Sequence, residues 1–121
     1  MALSGLAVAA KRAFVSANNI VNTYSAGDGQ AGSVFKPQTV EQVSVSPAGV
    51  RAVTRPITPA SIPVYSPDHP AADEDGLVQM PNVSLEREIV NLKMAMISYR
   101  ANLKVIETAD EMAGEVLDRL S

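Results

Sequence analysis

The chain contains no cysteine and no tryptophan, and it has a single histidine among its 121 residues. Without cysteine there are no disulfides and no thiolate metal sites, and one imidazole cannot build a zinc set on its own. Lack of cysteine suits an oxidising compartment. Aromatic residues make up only 4% of the chain although 46% of it is hydrophobic. Large rings normally supply much of a core's buried area. Here Ala, Val, Leu, Ile and Met must supply it, so an isolated monomer is expected to be marginal. No long run of one charge occurs and the net charge is -3, which argues against a nucleic-acid partner. The apolar stretch from Met1 to Ala10 is about half the length of a membrane span, and Lys11 and Arg12 follow it rather than precede it. It is a poor secretory signal, so export would use a route that keeps this end.

Proline is absent from both ends, since all eight prolines lie between Pro37 and Pro81. That punctuation divides the chain into an N-terminal helix and loop (1–33), a β-hairpin and extended proline-rich middle (34–81), and a C-terminal helix (82–121). The expected fold class is mainly α, with the two terminal helices paired as a coiled coil around the short middle.

The C-terminal segment carries the strongest pattern. Leu85, Ile89, Leu92, Met96, Tyr99, Leu103 and Ile106 recur at alternating steps of four and three. After Asp110 the row continues through Ala113, Leu117 and Leu120. That period is the seam of a helix packed along other helices. Val90, Met94 and Ile97 widen the apolar surface, while Glu86, Lys93, Arg100 and Glu107 form a polar row. Such a helix runs about 50 Å at 1.5 Å per residue, more than a core of this size covers. Asn82 or Ser84 is the expected N-cap, and Glu86 and Glu88 suit the positive end of the helix dipole. The first segment repeats Leu3, Leu6, Ala10, Ala13, Ala17 and Ile20, flanked by Ala7, Phe14 and Val21. Its alanine-rich seam lets a partner helix approach closely.

In the middle, strands are expected near 39–46 and 49–54, joined by Ser46-Pro47-Ala48-Gly49 as a type I connection. Beyond them Pro56, Pro59, Pro63, Pro67 and Pro70 forbid a helix and keep the chain extended, either as an arm on a neighbouring surface or as a linker. Catalytic and ligand chemistry is mostly missing. Gly27, Gly29 and Gly32 have a phosphate-loop spacing but no strand before them and no helix after. Asp73, Glu74 and Asp75 resemble part of a calcium loop, without the acids required where Ala71 and Asn82 stand. No serine sits in a nucleophile elbow, and His69 offers no credible triad. The chain is therefore read as not an enzyme, with no cofactor, no metal, no nucleic acid and no small-molecule substrate.

Three stretches resemble a known family. The run from Tyr65 to Val83, ending Gln79-Met80-Pro81-Asn82-Val83, is similar to the segment before the C-terminal helix of bacterial flagellar basal-body rod proteins of the FlgC type. Ser98-Tyr99-Arg100-Ala101-Asn102-Leu103 resembles the Ser-Tyr-Gln-Ala-Asn-Val of that family. Ala17-Asn18-Asn19-Ile20-Val21-Asn22-Thr23 resembles the signature shared by rod and hook proteins generally. The motif residues are Asn18, Asn19, Asn22, Pro81, Asn82, Val83, Ala101 and Asn102. The chain departs from the pattern at Asp68, Leu77 and Arg100.

The resemblance implies a structural subunit of the proximal rod. Such a subunit is exported unfolded through the flagellar type III apparatus, without a cleavable signal, and polymerises in the periplasm into the drive shaft. Its partners would be other rod proteins, copies of itself and the export apparatus, with no direct membrane span. In that reading Leu6, Ala10, Ala13, Ala17 and Ile20 pack against Leu92, Met96, Tyr99, Leu103 and Ile106. A non-flagellar coiled-coil adaptor using the same seam is the alternative.

Overall fold

The computed structural model describes residues 2–25 and 35–120. Helix α1 spans Ala2–Val21, followed by strands β1 (Gln38–Ser44), β2 (Val50–Pro56), β3 (Ser61–Tyr65) and β4 (Leu77–Pro81), and then helix α2 (Leu85–Leu120). The glycines Gly27, Gly29 and Gly32 lie outside the described residues.

Alanine-rich sequence without proline favours helix along α1. The helix ends where Asn22 and Thr23 turn their side chains back on it. Thr23 Oγ1 donates to the carbonyls of Asn19 and Ile20 (3.1 and 2.8 Å), and Asn22 Nδ2 donates to the Asn18 carbonyl (2.9 Å). Carbonyls of a last turn run short of helical partners, and these side-chain bonds add to the backbone bonds from Asn22 N–H to Asn18 and from Thr23 N–H to Ile20.

β1 and β2 pair antiparallel, with Val40 opposite Thr54 and Ser44 opposite Val50. The loop between them is closed by Val45 N–H donating to the Gly49 carbonyl (3.0 Å), not by the Ser46-to-Gly49 bond of the expected type I connection. Gly49 has φ +106°, a conformation that side chains resist. Glu41 and Arg55 form an exposed ion pair across the hairpin.

The proline-rich stretch folds into a second antiparallel hairpin, where an extended arm or linker was expected. Ser61 faces Pro81, Val64 faces Val78 and Tyr65 faces Leu77. Pro63 fits because each strand of a two-stranded sheet has a free edge that needs no N–H donor. The acidic cluster makes the turn: Asp73 Oδ1 accepts the N–H groups of Asp75 and Leu77, each at 2.9 Å. Gly76 (φ +78°) completes it. His69 Nδ1 accepts the Ala71 N–H at 3.0 Å, a local turn contact. Asn82 seals the open end, its N–H donating to Ala60 (3.0 Å) and its Nδ2 to the Pro59 carbonyl (2.9 Å).

α2 begins directly after this seal. Ser84 Oγ accepts the Arg87 N–H (3.4 Å) and its carbonyl accepts the Glu88 N–H (3.0 Å), so Ser84 is the N-cap. The helix has 36 residues, about 54 Å long. α1 packs along α2 and also touches both strands of the first hairpin, while the backbones of β3 and β4 approach neither helix. The buried apolar core is small: Val8, Ala9 and Val15 of α1, Val78 of β4, and Ala95 of α2.

Candidate assembly interface

The helices lie antiparallel. Gly5, near the start of α1, sits against Asn102, where an added Cβ would stand 2.6 Å from Oδ1. The buried residues of α2, Glu88 and Ala95, lie toward its N-terminus from that point, and every residue from Glu107 to Leu120 is exposed. α1 therefore runs from Asn102 back toward the start of α2. Among the described residues, the last 14 of α2, Glu107 to Leu120, roughly 21 Å, lie beyond the start of α1 and are exposed.

The face that α2 turns to α1 is not centred on the apolar stripe. Glu88 and Ala95 are 7% and 2% exposed, whereas Ile89, Met96 and Leu103 are 40%, 44% and 46% exposed. Leu85, Leu92 and Ile106 are half-buried and Tyr99 is exposed. The contact row is thus Leu85, Glu88, Leu92, Ala95, Asn102 and Ile106. It shares one edge with the expected seam and leaves the other edge, Ile89–Met96–Leu103, facing out. On α1 the buried residues are Val8, Ala9, Val15, Ser16 and Asn19. Leu6, Ala13, Ala17 and Ile20 are half-buried, and Ala10 is exposed.

Close approach is the physical reason. Gly5, Ala9, Ser16 and Ala95 are small, and small residues let two helix backbones come together where Leu or Met would hold them apart. Periodicity locates the greasy side of a helix, but the short side chains of its neighbour decide which edge touches. The signal was present in the sequence as Gly5, Ala9 and Ser16 on one side of α1, and the apolar count outweighed it.

The shared asparagine motifs have separate jobs. Asn19 is 1% exposed, its Nδ2 donates to the Gln38 carbonyl (2.8 Å), and its Oδ1 accepts the Gln38 N–H (3.3 Å). One amide thereby fixes the start of β1 to the end of α1. At the other end of α1, Ser4 Oγ accepts the Val50 N–H (3.2 Å), holding β2. Asn18 and Asn22 form the helix-end network, while Asn82 and buried Pro81 join the second hairpin to α2. The Val83 N–H donates to the Pro81 carbonyl at 2.9 Å. Ala101 is exposed, and Asn102 Nδ2 donates to the Ser98 carbonyl (2.8 Å), which steadies the amide against Gly5.

Between α1, β1 and α2 lies a groove of about 460 Å³, lined mainly by polar residues that include Arg12, Gln38, Glu88 and Asn91. Arg12 Nε is buried there without a hydrogen-bond partner. Among the described residues no three His, Cys, Asp or Glu side chains cluster as metal ligands, and no helix is long and apolar enough to cross a membrane. The prominent feature of the surface is apolar helix: Leu3, Phe14 and Val21 on α1, and Val90, Ile97, Val105, Met112, Val116 and Leu117 on α2, are all more than half exposed.

Comparison with known proteins agrees with the motifs. The family described as flagellar basal body rod FlgEFG protein C-terminal matches residues 74–119. The flagellar basal-body rod protein FlgC of Salmonella typhimurium is 38% identical over 116 residues, covering 90% of this chain and 85% of the relative. That of Agrobacterium fabrum is 32% identical over 129 residues, covering 97% and 88%. That of Aquifex aeolicus is 41% identical over 49 residues, covering 40% and 37%.

Proposed function

Because the chain belongs to the FlgC family of flagellar basal-body rod proteins, we propose that it is a structural subunit of the rod that assembles through its terminal helices. It is not an enzyme, and membership of this family removes the non-flagellar adaptor reading. Its partners are other rod proteins and copies of itself. The finer placement is the proximal rod in the periplasm, reached through the flagellar type III export apparatus.

The observation that carries the assembly mechanism is the exposed apolar surface along the C-terminal part of α2. Leu103, Val105, Met112, Val116, Leu117 and Leu120 remain exposed on a helix that has run past its own partner. A helix without a partner is marginal in water, because its stability comes largely from packing an apolar face. Burying each Leu or Ile fully is worth about 1.5–3 kcal/mol, so a few contacts with neighbours decide whether this half is ordered. Once packed, the interface is stiff, since protein interiors are as dense as organic crystals. Stiffness along the helix axis is what a torque-bearing rod needs.

Leu103→Asp tests this reading. The residue lies where α2 leaves α1, and a carboxylate there must be desolvated for any neighbour to pack on it. Expression is expected to be unchanged, with the variant absent from isolated basal bodies and the cells non-motile. Normal incorporation and swimming would show that the face plays no part in assembly.

A further inference from the structure

We infer that the groove between β1 and α2 receives an extended segment of a different rod protein, which adds to β1 as a third strand and sets a lysine or arginine on Glu88. This rests on the rod reading above and gives one of its partners a seat. The backbone of β1 provides the edge. Val45 N–H donates to the Gly49 carbonyl and Ile57 N–H to the Pro37 carbonyl (3.0 and 3.1 Å). In the antiparallel register that joins these pairs, the odd-numbered residues of β1 bond to β2. The even-numbered ones, Gln38, Val40, Gln42 and Ser44, turn their N–H and C=O groups away from it.

At Gln38 this free edge is closed by the Asn19 amide, which meets the N–H and the carbonyl together as a neighbouring strand would. At the far end of the hairpin α1 holds the opposite edge, on β2, where Ser4 Oγ accepts the Val50 N–H. α1 therefore crosses the hairpin obliquely, from the edge of β1 to the edge of β2, and uncovers β1 on the way. Val40 and Gln42 line the groove there. Among the described residues no hydrogen bond reaches their backbone groups on the free side. Such an edge is a template for another strand.

The opposite wall is α2. No Cα of β1 comes within 8 Å of one in α2, and a strand added to β1 needs about 4.8 Å. Glu88 stands on this wall, 7% exposed, and among the described residues no hydrogen bond or ion pair reaches its carboxylate. A carboxylate so enclosed favours a cation or a donor beside it. Arg12 does not serve it. Counted from Gly5 opposite Asn102, Arg12 is level with Ala95 and Glu88 with Asn19, so the two lie about 10 Å apart along the helices. A base on the incoming segment satisfies Glu88. A carbonyl of its backbone satisfies Arg12 Nε, which is buried without a partner.

A second copy does not supply this segment. The four strands among the described residues are already paired within hairpins. Outside strands and helices the described residues hold a single lysine or arginine, Lys36, next to fully buried Pro37. The occupant is foreign to this chain: extended, pairing with Val40 and Gln42, with a base near the Asn19 end of the groove.

Photo-cross-linking in cells tests this on the assembled rod. A benzophenone amino acid is placed at Gln42, on β1, or at Asn91, on α2; both residues are exposed and line the groove. Irradiated basal bodies should give, from both positions, cross-links to one extended stretch of a single different rod protein, with a lysine or arginine in that stretch. Links to another copy of this chain, links from the two positions to unrelated stretches, a stretch without a base, or no link in basal bodies that contain the chain each overturn the inference and leave the rod function standing. Absence of the unsubstituted chain from basal bodies would instead overturn the rod reading.

Proline tests the pairing itself. Because the Val40 N–H lies on the free edge, Val40→Pro removes no bond to β2. Urea unfolding of the purified chain should keep its midpoint, and both cross-links should fall at least about fivefold. Unchanged cross-links at a retained midpoint overturn the strand pairing. If Val40→Pro lowers the midpoint, Gln42→Pro repeats the measurement at an exposed residue, read from Asn91. Glu88→Lys should lower incorporation about tenfold, and exchanging the partner's base for glutamate should restore most of it. A double exchange no better than Glu88→Lys alone overturns the charge pairing.

Discussion

Removing the amide of Asn19 tests how the first hairpin is held to α1. Asn19→Ala deletes both bonds to Gln38, the donation to its carbonyl at 2.8 Å and the acceptance from its N–H at 3.3 Å. A net hydrogen bond is worth about 0.5–1.5 kcal/mol, and the longer bond belongs at the low end. The site is almost fully enclosed, so the truncation also leaves a small void, which adds to the loss. The sum is about 2–3 kcal/mol.

The neighbouring Asn18→Ala is the control. Asn18 is exposed and its side chain accepts only a 3.3 Å bond from Asn22, so the loss should stay within about 0.5 kcal/mol. Asn19→Asp separates geometry from chemistry. It keeps the shape and the acceptor but places a buried carboxylate against the Gln38 carbonyl, and should be at least as damaging as alanine. The assay is urea unfolding of the purified chain followed by circular dichroism, comparing midpoints at equal slope. A loss for Asn19→Ala no larger than that of Asn18→Ala would refute the clamp.

Other substitutions probe separate parts of the fold. Gly76→Ala puts a Cβ 2.9 Å from Tyr65 Cε2 at a positive φ, and should destabilise the second hairpin by about 1–2 kcal/mol in thermal unfolding. Ser84→Ala removes the N-cap of α2 and should cost about 1 kcal/mol, with faster amide exchange confined to the first turn. Val78→Ala empties a fully buried site and should cost about 2–3 kcal/mol in urea unfolding. Arg55→Ala breaks an ion pair exposed on both sides and should lower the stability measured in urea unfolding by less than about 0.5 kcal/mol.

Both helices and the first hairpin were legible in the sequence, because each announces itself locally. The row from Leu85 to Ile106 has one period, prolines stop at Pro81, and the valines of the middle alternate. The second hairpin was not legible. Pro59, Pro63, Pro67 and Pro70 read as an extended arm or linker, and a pairing such as Val64 with Val78 spans a loop whose order comes from Asp73 and Gly76, not from hydrophobic pattern. The asparagine motifs were visible as resemblance, but their work was hidden. A buried amide bridging nineteen positions of sequence, as Asn19 does to Gln38, leaves no periodic trace. The edge of α2 that lies against α1 leaves no periodic trace either. Which edge of an apolar stripe is covered depends on Gly5 and Ala95, and short side chains carry little weight in any hydrophobic count.

α2 closes onto α1 through Glu88, Ala95 and Asn102, instead of its oiliest residues. The protomer's own closure therefore spends the small and polar side chains of α2, and the larger apolar ones, Ile89, Met96 and Leu103, stay on the outside of the folded pair, 40% to 46% exposed.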